Sequence, residues 1–208
     1  RVAEALVAAI DSHGQATLVV SGGRSPIAFF GALAQQELAW SQVTVSLADE
    51  RWVPLGHADS NESLVRAHLL QGRAAEARFV GLYQADSSLE GAAQKTEITL
   101  AALPPIDVLV LGMGDDGHTA SLFPGNPLLA DALSQECPRS CLPMQAPSSP
   151  HQRLSLTLPR LAAARTQLLA IQGPGKLATL TQALAGDDPL QLPIRAFLHA
   201  PLEIYWCP

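Results

Sequence analysis

A short apolar run that ends in a glycine-rich turn constrains the fold more than any other segment. Residues 106–111 are apolar except for Asp107, which is typical of a buried strand. The turn that follows carries two acids and a histidine, and the sequence after it predicts a short helix. In open α/β sheets, ligands bind at the carboxyl ends of the strands. We therefore expect Asp116 and His118 to face a cleft.

Strand-like and helix-like patterns alternate along the whole chain. Strands are predicted at 16–20, 43–47, 106–111, 153–158, 166–172 and 202–207, and helices at 1–12, 26–38, 61–70, 88–102 and from residues 173–176 to about 185. These strands are too apolar for a half-solvated sheet, which predicts an α/β fold with a mostly parallel sheet and helices on both faces. We expect one domain over 1–208, with the Pro- and Ser-rich residues 124–150 as a surface excursion.

Composition excludes several classes of protein. The 208 residues are 48% hydrophobic and 15% charged with a net charge of −6, so the chain is globular and lacks the overall basic charge expected for nucleic-acid binding. No apolar run approaches the roughly 20 residues of a membrane span. The N-terminus lacks a signal-peptide layout, and without an initial Met it is expected to begin inside the gene product. Reduced thiols and a cytoplasmic location are predicted from three cysteines that make no disulfide framework: Cys137, Cys141 and Cys207.

One candidate anion site lies between the first strand and its helix, at Ser21, Gly22, Gly23, Arg24 and Ser25. The two glycines allow backbone N–H groups to approach an anion, and a helix N-terminus adds positive potential. The segment matches neither a Walker A loop nor a dinucleotide-binding fingerprint. The alternative is a tight turn in which Ser25 caps a helix that starts at Pro26.

Other cations follow later strands. Arg51, after Asp49 and Glu50, could hold phosphate through a bidentate guanidinium, although a surface salt-bridge cluster is the alternative and Asp49 could instead orient its neighbours. Lys176 lies in a first helical turn, where its charge opposes the helix dipole unless an anion binds there. Arg153, which opens a strand, is a weaker candidate for substrate contact, and Lys176 could equally be an exposed, indifferent lysine.

His118 is the candidate general base. A histidine has a reference pKa of about 6.5 and can accept a proton from water near neutral pH, and Asp116 could fix its tautomer. The alternative is a loop histidine that only hydrogen-bonds the turn. A metal site at Asp115, Asp116 and His118 lacks further ligands at a telling spacing, and Ser121 lies in no nucleophile elbow. The remaining histidines are interpreted as incidental: His13, His57, His68, His151 and His199.

Taken together, these motifs resemble the 6-phosphogluconolactonases, in the order of that family and over most of the chain. The matching segments are residues 21–26 (SGGRSP), 48–54 (ADERWVP), 59–61 (DSN), 112–124 (GMGDDGHTASLFP), 153–159 (RLSLTLP) and 173–176 (GPGK). The combination is more specific than any single segment.

The resemblance implies a three-layer, Rossmann-like α/β fold and hydrolysis of 6-phospho-D-glucono-1,5-lactone to 6-phospho-D-gluconate, in the oxidative pentose phosphate pathway. It implies no metal or organic cofactor. His118 would be the general base and Asp116 its partner, while Arg51 and Lys176 would bind phosphate. The 21–25 loop, Asp49 and Arg153 would complete the substrate site. We expect a monomer or weak homodimer without nucleic-acid or membrane partners.

Two other functions use a related site. The motifs also resemble those of the glucosamine-6-phosphate deaminase-isomerases, whose pattern has a glutamate five residues after the histidine. This chain has Phe123 at that position, and a phenylalanine cannot relay a proton. A non-catalytic sugar-phosphate sensor would carry an appended DNA-binding module, and retention of Asp116 and His118 favours catalysis.

Overall fold

The computed structural model of the chain describes residues 1–86, 88–147, 151–199 and 201–208. Its strands are β1 (Ala16–Val20), β2 (Val43–Leu47), β3 (Asp49–Arg51), β4 (Arg78–Val80), β5 (Val108–Leu111), β6 (Cys141–Gln145), β7 (Gln152–Leu156), β8 (Thr166–Gln172) and β9 (Leu202–Cys207). Its α-helices are α1 (Val2–His13), α2 (Ile27–Ala34), α3 (Asn61–His68), α4 (Leu89–Ala101), α5 (Leu129–Leu133), α6 (Leu158–Ala162) and α7 (Pro174–Leu184). Short 3₁₀ helices span Trp40–Gln42, Gly72–Glu76 and Pro193–Phe197.

A six-stranded parallel sheet forms the centre of the fold, in the order β4-β2-β1-β5-β8-β9. Every residue of β1 and β5 is buried. Because successive side chains of a strand point to opposite faces, both faces of the sheet are covered at its centre. The prediction of an α/β fold with a mostly parallel sheet flanked by helices is confirmed.

A second, antiparallel sheet of three strands, in the order β3-β7-β6, was not predicted. Residues 49–51 are a strand of this sheet rather than a loop after β2, and Glu50 is fully buried, so the surface salt-bridge alternative is wrong. The prediction of a surface excursion at 124–150 is wrong for α5 and β6, which bury Leu129 and Cys141. Residues 148–150 of that segment lie outside the described residues.

Two local helix predictions are also wrong. The residues after His118 form turns and an isolated bridge between Thr119 and Leu122, because Ala120 has a φ of 49°, which interrupts a right-handed helix. At α2, Pro26 rather than Ser25 occupies the N-cap position, and no side chain caps the helix. That helix ends at Ala34 because the residues at 35–37 are exposed and polar and offer it no packing.

Buried side chains from both sheets and the surrounding helices form a continuous hydrophobic cluster. Leu109 of β5 lies within it, fully buried and paired in register with Val19 and Gln167 of the neighbouring strands. Within the described residues, none of the helices has the length and apolar character needed to cross a bilayer.

We predict that Leu109→Ala lowers the free energy of unfolding by about 2–5 kcal/mol, because a fully buried leucine leaves a cavity when it is truncated. Urea unfolding measures this loss. Ile98→Ala is the control, since Ile98 is 75% exposed on α4, and we expect it to change stability by no more than about 0.5 kcal/mol. Equal losses in both variants would contradict the assignment of β5 to the core.

Candidate active site

A cavity of about 820 Å³ opens where β1, β5 and β8 of the parallel sheet end and the second sheet begins. It is lined by most of the residues predicted to bind or react: Ser21, Gly22, Gly23, Asp49, Arg51, His118, Arg153 and Lys176. Two predicted residues do not line it. Arg24 is exposed and lies outside the lining. Asp116 also lies outside it and hydrogen-bonds His118, which does line the cavity.

Asp116 and His118 form a hydrogen-bonded pair. His118 Nδ1 lies 2.5 Å from Asp116 Oδ1, and the same oxygen accepts the backbone N–H of His118 at 3.1 Å. Burial opposes ionisation of Asp116, but the hydrogen bond and charge of His118 hold the pKa of this carboxyl below its ordinary value. An ionised carboxylate can only accept, so in the neutral imidazole the proton is assigned to Nδ1 and the lone pair to Nε2. This arrangement suits a proton acceptor.

The turn that carries the pair is held from three sides. Gly114 N–H donates to the His118 carbonyl at 2.8 Å, and Gly117 has a φ of 73°, which favours glycine. A Cβ at Gly114 would lie 2.1 Å from His118 Nδ1 and 2.7 Å from Asp116 Oδ1. On the other side, the Phe123 ring packs against the imidazole with 4.4 Å between centroids. Packing thus fixes the orientation of the imidazole.

Arg51 and Arg153 lie directly opposite each other in the register of β3 and β7. Like charges in such a pair are unfavourable unless an opposite charge lies between or beside them. The buried Asp49 carboxylate supplies part of that charge, and burial lowers the pKa of Arg153 while Asp49 opposes the shift. Both guanidinium groups line the cavity, so an anion bound there would reduce their repulsion further.

Glu50, a residue not predicted to belong to the site, holds the segment that carries Arg51. Its fully buried carboxylate accepts the backbone N–H groups of Arg51, Asn61 and Glu62 and the hydroxyl of Ser60, at 2.7–3.0 Å. Burial raises the pKa of Glu50, and these hydrogen bonds oppose the rise. The carboxylate therefore joins β3 to the N-terminus of α3.

Asn61 was also not predicted as a site residue, although it lies in the 59–61 segment that matches the 6-phosphogluconolactonases. Its Oδ1 accepts from Arg51 Nη1 at 2.5 Å, and its Nδ2 donates to the Asp49 carbonyl at 2.8 Å. A Cβ at Gly22 would lie 1.9 Å from Asn61 Oδ1. The amide therefore fills the space that a side chain at Gly22 would need, and it orients Arg51 from there.

Arg51, Ser21 and Lys176 place hydrogen-bond donors at the cavity that could bind an anion. Arg51 Nη1 also donates to the Asp59 carbonyl at 2.9 Å, while Arg51 Nε and Ser21 Oγ are buried and make no hydrogen bond within the described residues. Lys176 Nζ donates to the Met113 carbonyl at 2.5 Å and is 3.5 Å from the exposed Asp115 carboxylate. A chain with a net charge of −6 thus concentrates cations at one cavity.

Ser121 is not arranged as a nucleophile. Its hydroxyl donates to Asp49 Oδ2 at 2.5 Å, and its backbone N–H donates to Ser155 Oγ at 3.2 Å. The side chain is fully buried. Ser121 therefore joins the glycine-rich turn to the second sheet, and Asp49 is held by both Ser121 and Asn61.

We predict that Gly114→Ala lowers kcat about a hundredfold, because the new methyl group displaces the His118–Asp116 pair by an ångström or more. Steady-state kinetics on the proposed substrate below, with circular dichroism to monitor folding, test this. Gly31→Ala on α2 is the control, since a Cβ there meets no atom within 4 Å. Unchanged kcat in the Gly114 variant would show that the turn does not orient the pair.

The chain is similar to known proteins over its whole length. The chain is 63% identical over 207 residues to a 6-phosphogluconolactonase of Pseudomonas putida and 63% identical over 208 residues to one of Pseudomonas aeruginosa. These alignments cover 100% of this chain and 86% and 87% of the two relatives.

Its fold is also similar to solved structures. The crystal structure of a 6-phosphogluconolactonase from Shewanella baltica has a TM-score of 0.95 at 41% identity, covering 99% of this chain and 89% of that one. A second, from Thermotoga maritima, has a TM-score of 0.80 at 25% identity and covers 99% and 90%. The family model described as glucosamine-6-phosphate isomerases/6-phosphogluconolactonase matches residues 1–206. This chain belongs to the glucosamine-6-phosphate isomerase/6-phosphogluconolactonase family.

Proposed function

We propose that this protein hydrolyses 6-phospho-D-glucono-1,5-lactone to 6-phospho-D-gluconate, a step of the oxidative pentose phosphate pathway. The observation that carries the proposal is the His118–Asp116 pair at a cavity that also holds opposed arginines. A proton acceptor beside an anion site is what hydrolysis of a phosphorylated lactone requires. The lactonases that are 63% identical over the whole chain give the same substrate class.

The reaction consumes one water and leaves His118 in its starting protonation state, and the carboxylic acid that forms then ionises and releases one proton. Asp116 holds Nδ1–H of His118, and Nε2 takes a proton from a water above the lactone carbonyl carbon. The hydroxide adds to that carbon and gives a tetrahedral oxyanion. When the carbonyl re-forms, the bond to the ring oxygen breaks, and the imidazolium gives its proton to the leaving alkoxide. The product is an open-chain acid that still carries its phosphate.

The cations orient the substrate. Arg51 and Lys176 bind the phosphate, and Ser21 Oγ and the backbone of the Gly22–Gly23 loop contribute donors at the same cavity. Arg153 adds positive charge from the opposite strand. A phosphate held in this way places the lactone carbonyl near His118, so the binding energy is used for orientation.

Phe123 favours hydrolysis over the isomerase chemistry of the same family. Ring opening followed by enolisation needs a further titratable group to move a proton to or from carbon. Five residues after His118, this chain presents a phenyl ring packed on the imidazole at 4.4 Å between centroids. Phe123 cannot carry a proton, and it positions the base instead.

We also propose a cytoplasmic monomer or weak homodimer that folds as one domain. The cysteines Cys137, Cys141 and Cys207 are free, in keeping with a reducing compartment. Size-exclusion chromatography with light scattering, at several protein concentrations, tests the oligomeric state.

We predict that His118→Ala lowers kcat by about 10²–10⁴-fold, the usual contribution of a positioned general base. Freshly generated lactone is supplied, and product is measured through 6-phosphogluconate dehydrogenase with the spontaneous rate subtracted. His68→Ala at the end of α3 is the matched control and should retain full activity. Full activity of a folded His118 variant would overturn the assignment of the base, and a wild-type rate equal to background would overturn the proposed function.

We predict that Arg51→Ala raises KM by about 10- to 100-fold, because one charged hydrogen-bonding group contributes about 1.5–3 kcal/mol. Arg51→Lys should recover part of this loss, since it keeps the charge but not the fork. Arg73→Ala is the control, because Arg73 is exposed, lies outside the cavity lining and pairs with Glu37. An unchanged KM in the folded Arg51 variant would assign phosphate binding to other residues.

A further inference from the structure

A second cluster of potential ligands lies outside the catalytic pair. His57, Asp59 and His151 each offer one nitrogen or oxygen atom, and these atoms all lie within 4.8 Å of one another. His151 Nε2 is 2.8 Å from Asp59 Oδ2, and His57 Nδ1 is 3.8 Å from the same oxygen. The two imidazole rings meet edge to face with 5.5 Å between centroids. His57 and His151, which the sequence alone indicates as incidental, thus both have an acidic neighbour in the fold.

The backbone around this cluster is fixed before any ligand arrives. Asp59 donates its N–H to His57 Nδ1 at 3.1 Å and accepts from Arg51 Nη1 through its carbonyl at 2.9 Å. The neighbour of His151, Gln152, accepts the Trp52 N–H at 2.8 Å through its carbonyl. Three side chains from two separate segments thus converge because hydrogen bonds hold their backbones in place.

We propose that His57, Asp59 and His151 form a binding site for one divalent transition-metal ion of the Zn²⁺ type. Two imidazole nitrogens and one carboxylate oxygen are the donors that Zn²⁺, Co²⁺ and Ni²⁺ accept, whereas Mg²⁺ and Ca²⁺ prefer oxygen ligands alone. Three protein ligands leave further positions for water. The site is distinct from the His118–Asp116 pair and shares no ligand with it.

The ligand geometry needs side-chain adjustments in both directions. Zinc binds nitrogen and oxygen ligands tetrahedrally at about 2.0–2.2 Å, so two ligands of one ion lie about 3.3–3.6 Å apart. His151 Nε2 and Asp59 Oδ2 at 2.8 Å would have to separate slightly, whereas His57 Nδ1 and Asp59 Oδ2 at 3.8 Å would have to approach. His57 and Asp59 are 42% and 57% exposed at their side chains, and His151 is 25% exposed, so these side chains have room to adjust. Binding at His57 Nδ1 would exchange the hydrogen bond from Asp59 N–H for a metal bond.

An ion at this position would link the loop that follows β3 to the start of β7. Asp59 belongs to that loop, and its carbonyl holds the Arg51 guanidinium. His151 directly precedes β7, in which Arg153 lies opposite Arg51. The ion would therefore restrain the two segments that carry the opposed arginines, and it would raise the melting temperature by binding only the folded chain.

Co²⁺ is the probe for this site, because its visible absorption reports coordination by protein ligands directly. Chelator-treated full chain is titrated with CoCl₂ in the absence of substrate, and ZnCl₂ is then added as competitor. We expect one Co²⁺ per chain, displaced by Zn²⁺. His57→Ala, Asp59→Asn and His151→Ala should each weaken binding at least about tenfold, since even the loss of an outer-shell partner of a ligand costs 10- to 100-fold.

Two histidine controls locate the ion. His68→Ala should leave the titration unchanged, and so should His118→Ala if the ion avoids the catalytic pair. No absorption on titration of the folded wild-type chain would overturn the proposal. Binding that survives in all three ligand variants, or that is lost only in His118→Ala, would overturn it as well. These outcomes are independent of lactone hydrolysis, which is measured separately with chelator present.

Discussion

The buried carboxylate of Glu50 is the interaction on which the arrangement of the site depends. Three backbone N–H groups and one hydroxyl take the place of water at its oxygens. These hydrogen bonds compensate the carboxylate for the loss of hydration on burial. Because the donors come from β3 and from the start of α3, the carboxylate sets the distance between Arg51 and Asn61. The second sheet and the third helix are thereby held as one unit.

Two loops of the cavity are built on the same principle. At Gly22 and at Gly114, a polar side chain from elsewhere occupies the volume that a Cβ would take. In the first case the intruding group is the Asn61 amide, and in the second it is the His118 imidazole with its aspartate. Because these glycines have no side chain, the Asn61 amide and the His118 imidazole can pack directly against the backbone after the strands.

Much of the fold could be predicted because its strands are short apolar runs with sharp ends. Residues 16–20, 43–47, 166–172 and 202–207 match the observed strands to the residue. The second sheet was only partly predictable. Its middle strand β7 was predicted at 153–158 and spans Gln152–Leu156, since a helix starts at Leu158. Its edge strand β3 is Asp-Glu-Arg, a polar triplet whose buried Glu50 is satisfied by donors of α3 from eleven and twelve positions away.

The candidate site also has a part that local sequence predicts and a part that it does not. His118 and Asp116 are two residues apart, so local sequence was enough to pair them. The contacts of Asn61 with Gly22 and the opposition of Arg51 and Arg153 arise from tertiary packing and strand register, which no local pattern carries. The same holds for the meeting of His57 and His151, which lie far apart in the chain.

The contact between Gly22 and Asn61 also restricts how sequences of this kind can diverge. A larger residue at position 22 fits only if the side chain at 61 becomes shorter, yet a shorter side chain there releases the guanidinium of Arg51. The two positions are therefore coupled through the orientation of Arg51, and a change at one is expected to depend on the residue at the other.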